Sequence, residues 1–200
     1  AFVKADITVS AAVAPAFPDA VWVSNHVAAG MSVPEAERKA VLLAHCEAAV
    51  AQRTAAISAD TVRYFVPGRV EFLGKHTDYA GGRSLLLTVE RGICAVARPR
   101  ADMNLTVTSL DLDSQVDFPL HSDLIPTRGH WSNYAMTVVR RIARNFPGPL
   151  RGADIVFASD LPAAAGLSSS SALIVATFLL LQDLNHLNQH PAYTRNIPDL

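Results

Sequence analysis

Two stretches of this 200-residue sequence concentrate side chains able to do chemistry. The first is PGRVEFLGKHTDYAGG, Pro67 to Gly82, which gathers Arg69, Glu71, Lys75, His76 and Asp78. Gly74-Lys75 suggests a nucleotide loop at first sight. That loop has the form G-x-x-x-x-G-K-[ST], because backbone N–H groups must wrap phosphate at fixed spacing. Here five residues separate Gly68 from Gly74, and His76 follows the lysine with Thr77 one place late. The nucleotide-loop reading fails, and the phosphate chemistry must be sought elsewhere.

The second stretch is LPAAAGLSSSSALIVATFLLL, residues 161–181. Small residues follow a strand, Gly166 makes a turn, and four serines open an apolar helix. The first turn of a helix exposes N–H groups with no intrahelical partner, and the macrodipole adds partial positive charge there. Small side chains let a phosphate chain approach that backbone, and hydroxyls add donors, one of which can ligate magnesium. A single serine suffices to cap a helix, so four after Ala-Ala-Ala-Gly read as an anion site. A nucleophile elbow, G-x-S-x-G, is excluded because Ser170 stands where its second glycine would be.

The elements around these stretches set their geometry. Residues 1–31 read as an irregular leader. Ser32-Val-Pro-Glu35 has the form of a capping box and opens an alanine-rich helix to about Ala56, with Val41, Leu42, His45, Ala49 and Arg53 at helical spacings. Strand-like segments follow at 61–68, 70–74, 84–90, 93–99, 104–111 and 115–120, rich in β-branched and aromatic residues. Trp131 to Phe146 reads as an amphipathic helix with Tyr134, Val138, Val139 and Ile142 inward and Arg140, Arg141 and Arg144 outward. Residues 152–162 form another strand, and a helix runs from Ser169 to Leu184. The alternation predicts an α+β domain over 32–200, a mixed and mostly antiparallel sheet with helices on one face.

Half of the residues are apolar, enough for a sizeable core, and the formal net charge of −1 gives no pull toward nucleic acid or an anionic membrane. The longest apolar run is too short to span a bilayer, and the N-terminus lacks the layout of a signal peptide. Cys46 and Cys94 sit in apolar surroundings without a C-x-x-C pattern, so free buried thiols and a cytoplasmic location are expected.

Together the two stretches carry a family resemblance. PGRVEFLGKHTDYAGG resembles the sugar-binding signature of galactokinases, and LPAAAGLSSSSA resembles the phosphate-binding motif of the GHMP small-molecule kinases, their superfamily. HWSNY, 130–134, is similar to the family's Trp-x-Asn-Tyr helix start. The similarity runs from about Ser32 to Leu200, with the order and spacing of the three segments kept. It implies a ribosomal-protein-like N-terminal domain, with a ferredoxin-like second lobe absent from this chain and an active site between the two. It also implies ATP and Mg2+ as cofactors and phosphorylation of a monosaccharide, at the anomeric hydroxyl.

Residue by residue, the resemblance makes Arg69 the transition-state stabiliser. Asp78 matches a carboxylate that accepts from sugar hydroxyls, a role suited to a group taking two O–H donors at once. Glu71, Lys75, His76, Thr77 and Gly81 fall at further sugar-side positions. Ala164, Ala165, Gly166, Leu167, Ser168, Ser169 and Ser170 would line the phosphates, with Ser170 also ligating Mg2+. Ser109 matches a minor nucleotide contact, and Trp131 is either part of the adenine pocket or a core aromatic.

Two positions depart from the family pattern. Galactokinases usually have Asn where Glu71 stands and Glu where Lys75 stands. Lys75 reverses a charge and can only donate, which suits an anionic sugar such as a uronic acid, or an ion pair with Glu71. The family's aspartate base, second magnesium carboxylate and late glycine-rich motif lie beyond the serine helix and are not in the sequence. The chain therefore reads as the N-terminal portion of a longer kinase, inactive by itself. A catalytically silent sugar- and ATP-binding sensor of the same family is the alternative. The mevalonate and homoserine branches are disfavoured by His76-Thr77-Asp78-Tyr79.

Overall fold

The computed structural model describes residues 19–53, 60–74, 77–162 and 165–193. Its first helix, α1 (Ala20–Ala28), lies inside the stretch expected to be irregular. The Asp19 carboxylate caps it by accepting from the N–H groups of Val21 and Trp22 at 3.0 and 3.1 Å. Both stop and start were in the sequence: Asp19 precedes the helix, and Gly30 follows it at a φ of +102°, open only to glycine without strain. Trp22 stacks on His26 with ring centroids 3.6 Å apart and, like Phe65, packs against the cluster of Leu43, Cys46 and Val50.

Helix α2 spans Val33–Ala51, shorter than expected, and residues 54–56 of the anticipated helix lie outside the described residues. The capping box does not form. Glu35 turns to Lys39, 2.6 Å away on the next turn, while the Ser32 N–H donates to Glu90. The inward face is Ala36, Lys39, Ala40, Leu43, Cys46 and Val50, so Val41 of the expected helical series points outward.

The strands are β1 (Val62–Leu73), β2 (Leu85–Pro99), β3 (Asn104–Ser109), β4 (Ser114–Pro119) and β5 (Ala153–Ser159). The segments read as 61–68 and 70–74 are one strand, as are 84–90 and 93–99. Their apparent breaks, at Arg69 and at Arg91-Gly92, fall at a register shift between Pro67 and Arg69 within a continuing ladder. Pro67 has no N–H to give, so the irregularity sits where a regular ladder would lose a bond in any case. The sheet order is β1-β2-β5-β3-β4, antiparallel throughout except for the parallel pair β3 and β5.

The mixed, mostly antiparallel α+β architecture holds, but helices cover both faces of the sheet rather than one. Ile93, Ala95, Ala97, Ile155 and Phe157 pack on α3 (Asn133–Asn145) and α4 (Ser169–Leu184). Their alternates Cys94, Val96, Val156 and Ala158 pack on Leu43, Cys46 and Val50 of α2. The reason is in the strands: ICAVA and IVFA are apolar at every position, and a strand without alternation needs cover on both sides. In α3 the inward residues are Ala135, Val138, Val139 and Ile142; Tyr134, expected inside, is 41% exposed. That helix begins at Asn133, leaving Trp131 and Ser132 in the preceding turn.

Helix α4 is tied to β1 by the Tyr64 hydroxyl, which donates to Asp183 at 2.5 Å. Burial and that carboxylate push the Tyr64 phenol up to about 12. Cys46 and Cys94 are both free and buried, as expected, and burial raises each thiol far above its ordinary range. Among the described residues no helix is long and apolar enough to cross a membrane.

Candidate active site

The two chemical stretches meet where β1, at the edge of the sheet, passes the loop that leads into α4. The Arg69 N–H donates to the Leu167 carbonyl at 3.1 Å, and the Arg69 Nε donates to the Ser168 hydroxyl at 3.3 Å. Gly68 makes this approach possible. A Cβ there would lie 2.9 Å from the Leu167 carbonyl oxygen and 2.6 Å from the Leu161 side chain. The glycine rejected as part of a nucleotide loop therefore has another use: it lets the strand press against the serine loop.

The loop itself is bent at two left-handed residues, Gly166 at φ +70° and Ser168 at φ +57°. A serine in that region is uncommon, and such outliers gather where backbone must face a ligand. Ser168 occupies the N-cap of α4 without a side-chain cap bond, and the first intrahelical bond runs from the Ala172 N–H to the Ser168 carbonyl. The N–H groups of Ser169, Ser170 and Ser171 thus start the helix with no intrahelical acceptor. Ala165, Gly166 and Ser169 are exposed, while Leu167, Ser168 and Ser170 are half-buried. Donors, dipole and hydroxyls fit a polyphosphate, and the Ser170 hydroxyl fits a magnesium ligand. Arg69, exposed, stands beside them with its charge.

The sugar side is partly described. Lys75, His76 and Ala164 lie outside the described residues, as does the side chain of Asp78. On the sugar side, the described residues Gly74 and 77–84 are well tied to one another. Gly74 is left-handed at φ +89°, and its carbonyl accepts from the Thr77 N–H, the Thr77 hydroxyl and the Ser84 hydroxyl at 3.0, 2.7 and 3.0 Å. The Gly82 N–H returns to the Thr77 carbonyl, and a Cβ on Gly82 would strike Thr77 at 2.8 Å. Thr77 thus spends its hydroxyl donor on shaping the turn, and Gly81 supplies a left-handed bend at φ +75°. Asp78 opens a short 3₁₀ turn through Ala80. Glu71 is exposed and accepts from the Ser84 hydroxyl at 3.4 Å.

Ser109 and Trp131 are placed by the β3–β4 hairpin. Ser109 is 1% exposed, and its hydroxyl accepts from the Leu112 N–H at 3.3 Å, a turn-holding bond. The Trp131 indole N–H donates to Ser114, and its ring meets Phe157 edge-on with centroids 5.5 Å apart. Trp131 is half-buried and packs against the core on this side.

Three features of the site's foundation were not read from the sequence. Gly68 is one. Another is Asp111, whose carboxylate accepts from the Ser159 N–H at 2.6 Å just before the loop. The third is the buried Lys39, bonded to Asp160 at 2.5 Å. A lone lysine on the Ala36-Ala40-Leu43-Cys46 face was the available signal for it.

Burial pushes the Asp111 carboxyl up to about 6, against the pull of the Ser159 N–H and with a smaller push from the Asp160 charge. The folded state therefore holds a proton that the unfolded chain has already released, and stability falls as pH rises from about 4 to about 6. Asp111→Asn, which keeps an oxygen for Ser159, is expected to flatten this slope by roughly 1–2 kcal/mol after allowance for solvent screening. Urea unfolding at pH 4.5 and 7 checks it, and an unchanged slope would refute the assignment.

Comparison with known proteins follows the same geometry. Residues 49–99 match the galactokinase galactose-binding signature, and residues 133–195 match the GHMP kinases N terminal domain. A galactokinase of Chloroflexus aurantiacus is 41% identical over 130 residues, covering 63% of this chain and 33% of that protein. One from Roseiflexus is 42% identical over 122 residues, covering 61% of this chain and 31% of that protein. The chain thus spans about a third of the length of these curated relatives. Lactococcus lactis galactokinase, solved with galactose, superposes with a TM-score of 0.65 at 25% identity, over 77% of this chain and 40% of that one. Methanococcus jannaschii mevalonate kinase shares the fold, with a TM-score of 0.55 at 15% identity, over 67% of this chain and 42% of that one. With the sugar signature and the serine loop in this order and in contact, the chain is similar to the galactokinase-like GHMP kinases over both matched segments.

Proposed function

We propose that the full-length protein transfers a phosphoryl group from ATP to the anomeric hydroxyl of a monosaccharide. The observation that carries this is the contact between the Arg69 strand and the Leu167–Ser168 loop, which sets a guanidinium beside a polyphosphate-type helix start. ATP supplies the phosphoryl group, and Mg2+ held with the help of Ser170 offsets its charge. The chain's own contribution is positional. The N–H groups of Ser169–Ser171 and the small residues before them seat the phosphates, and Arg69 faces the charge that develops during transfer. Asp78, whose backbone opens the 3₁₀ turn, takes the sugar hydroxyls in this reading. Relatives named as galactokinases, and the one solved with galactose, support a sugar as the acceptor.

Lys75 selects the acceptor in this reading, favouring a sugar with an anionic group over galactose. The test is an ATP-consumption screen of the full-length gene product on galactose, N-acetylgalactosamine, arabinose, glucuronate and galacturonate. Turnover should appear on one of them, and Asp78→Ala should cut kcat/KM about a hundredfold or more, as expected for losing charge-assisted bonds to two hydroxyls. Lys75→Glu should shift preference toward galactose; equal use of galactose and galacturonate, unmoved by that change, would remove the role given to Lys75. Binding of ATP and sugar with no turnover on any sugar would identify a silent sensor instead.

A further inference from the structure

Lys39 is a lysine with none of its side chain exposed, on the face of α2 that packs against the sheet. Its ammonium donates to Glu35 at 2.6 Å and to Asp160 at 2.5 Å, and it lies 6.0 Å from the centre of the Phe65 ring. Buried ion pairs are poor devices for stability, because desolvating the charges offsets most of their attraction. They do fix position, since only one arrangement satisfies them. Here the position fixed is the exit of β5. Asp160 uses its second oxygen to accept from the Gly92 N–H at 2.7 Å, and its own N–H donates to the Gly92 carbonyl at 3.2 Å. The next residue, Leu161, gives its N–H to the Ser159 hydroxyl and lays its side chain against Gly68.

We propose that Lys39 is a positioning residue for the serine loop: through Asp160 it anchors the near end of the segment whose far end is held by Arg69 at Leu167. The loop is thus fixed at both ends, by an ammonium from the opposite face of the sheet and by the β1 backbone. What the loop binds rests on the kinase reading above; where it sits does not. Without the ammonium, Glu35 and Asp160 are two carboxylates facing one another in a poorly solvated gap, and Asp160 must move. That motion passes directly into Leu161 and the turn beyond it.

The experiment is hydrogen exchange on the full-length protein and its Lys39→Met and Asp160→Asn variants, with calorimetric titration of MgATP and of the preferred sugar. Asp160→Asn keeps an acceptor for Gly92 and so serves if Lys39→Met does not fold. Expected is exchange at least tenfold faster in residues 161–171, with α2 and β2 within twofold of wild type, MgATP affinity reduced tenfold or more, and sugar affinity nearly unchanged. Unaltered exchange in 161–171, or loosening spread evenly over α2 and the sheet with both ligands weakened together, would overturn the proposal. If the loop loosens selectively in a protein whose wild type binds no ATP, the positioning stands and the kinase reading falls.

Discussion

Gly68→Ala is expected to unseat the serine loop, lowering affinity for MgATP by about a hundredfold and stability by roughly 1–3 kcal/mol, the usual range for an overpacked contact. Gly68 lacks the left-handed backbone of Gly74 or Gly166, so alanine fits its conformation and the effect isolates contact alone. Of the atoms a Cβ would strike, the Leu161 methyl can rotate away, but the Leu167 carbonyl is backbone already bonded to the Arg69 N–H. The new methyl must push that carbonyl back and break the bond. Calorimetric titration with MgATP and thermal unfolding of the same preparation separate the two effects. An unchanged ATP affinity would falsify the claim that this approach of strand and loop shapes the phosphate site.

Arg69→Ala should lower kcat by about a thousandfold, at the low end of what a transition-state arginine contributes in phosphoryl transfer. The sugar KM should move only a fewfold, because the guanidinium meets charge that grows during transfer rather than in the bound ground state. Arg69→Lys should recover part of the loss at most: an ammonium carries the charge but cannot reach Ser168 and the phosphoryl oxygens as a planar fork does. Steady-state kinetics of the full-length gene product decide it. A kcat within tenfold of wild type would reduce Arg69 to a surface residue holding Ser168.

Much of this arrangement is legible in the chain because it is written in local patterns. Helix α4 begins at Ser169 and ends at Leu184 as its serine start and apolar run require. β3, β4 and β5 fall where β-branched runs place them. Charge and distance are harder to read. Ser32 and Glu35 satisfy the spacing of a capping box, yet a buried lysine one turn further on attracts Glu35 more strongly than an exposed N–H can. α1 was hidden because AVWVSNHVA is rich in valine and weakly amphipathic, so only its flanking residues Asp19 and Gly30 carry the signal. The apolar series ICAVA showed two buried faces, but reading it required knowing that the strand is central. The meeting of Gly68 with Leu167 joins residues far apart in sequence, and no periodicity encodes it. The resemblance of the two motifs to known ones supplied what spacing could not.

The strand order carries a consequence for how the chain acquires its shape. β1 with β2, and β3 with β4, can each close as hairpins from neighbouring residues. Neither pair touches the other in the sheet; β5 lies between them and bonds to both. A nascent chain therefore carries two separate ribbons, each with an unpaired and largely apolar rim, until residues 153–159 have been synthesised and slide into the seam. Open rims of this kind invite pairing with other chains. The stretch around α3 separates the fourth and fifth strands in the chain, so both ribbons keep an open rim until it has been passed and the seam is filled.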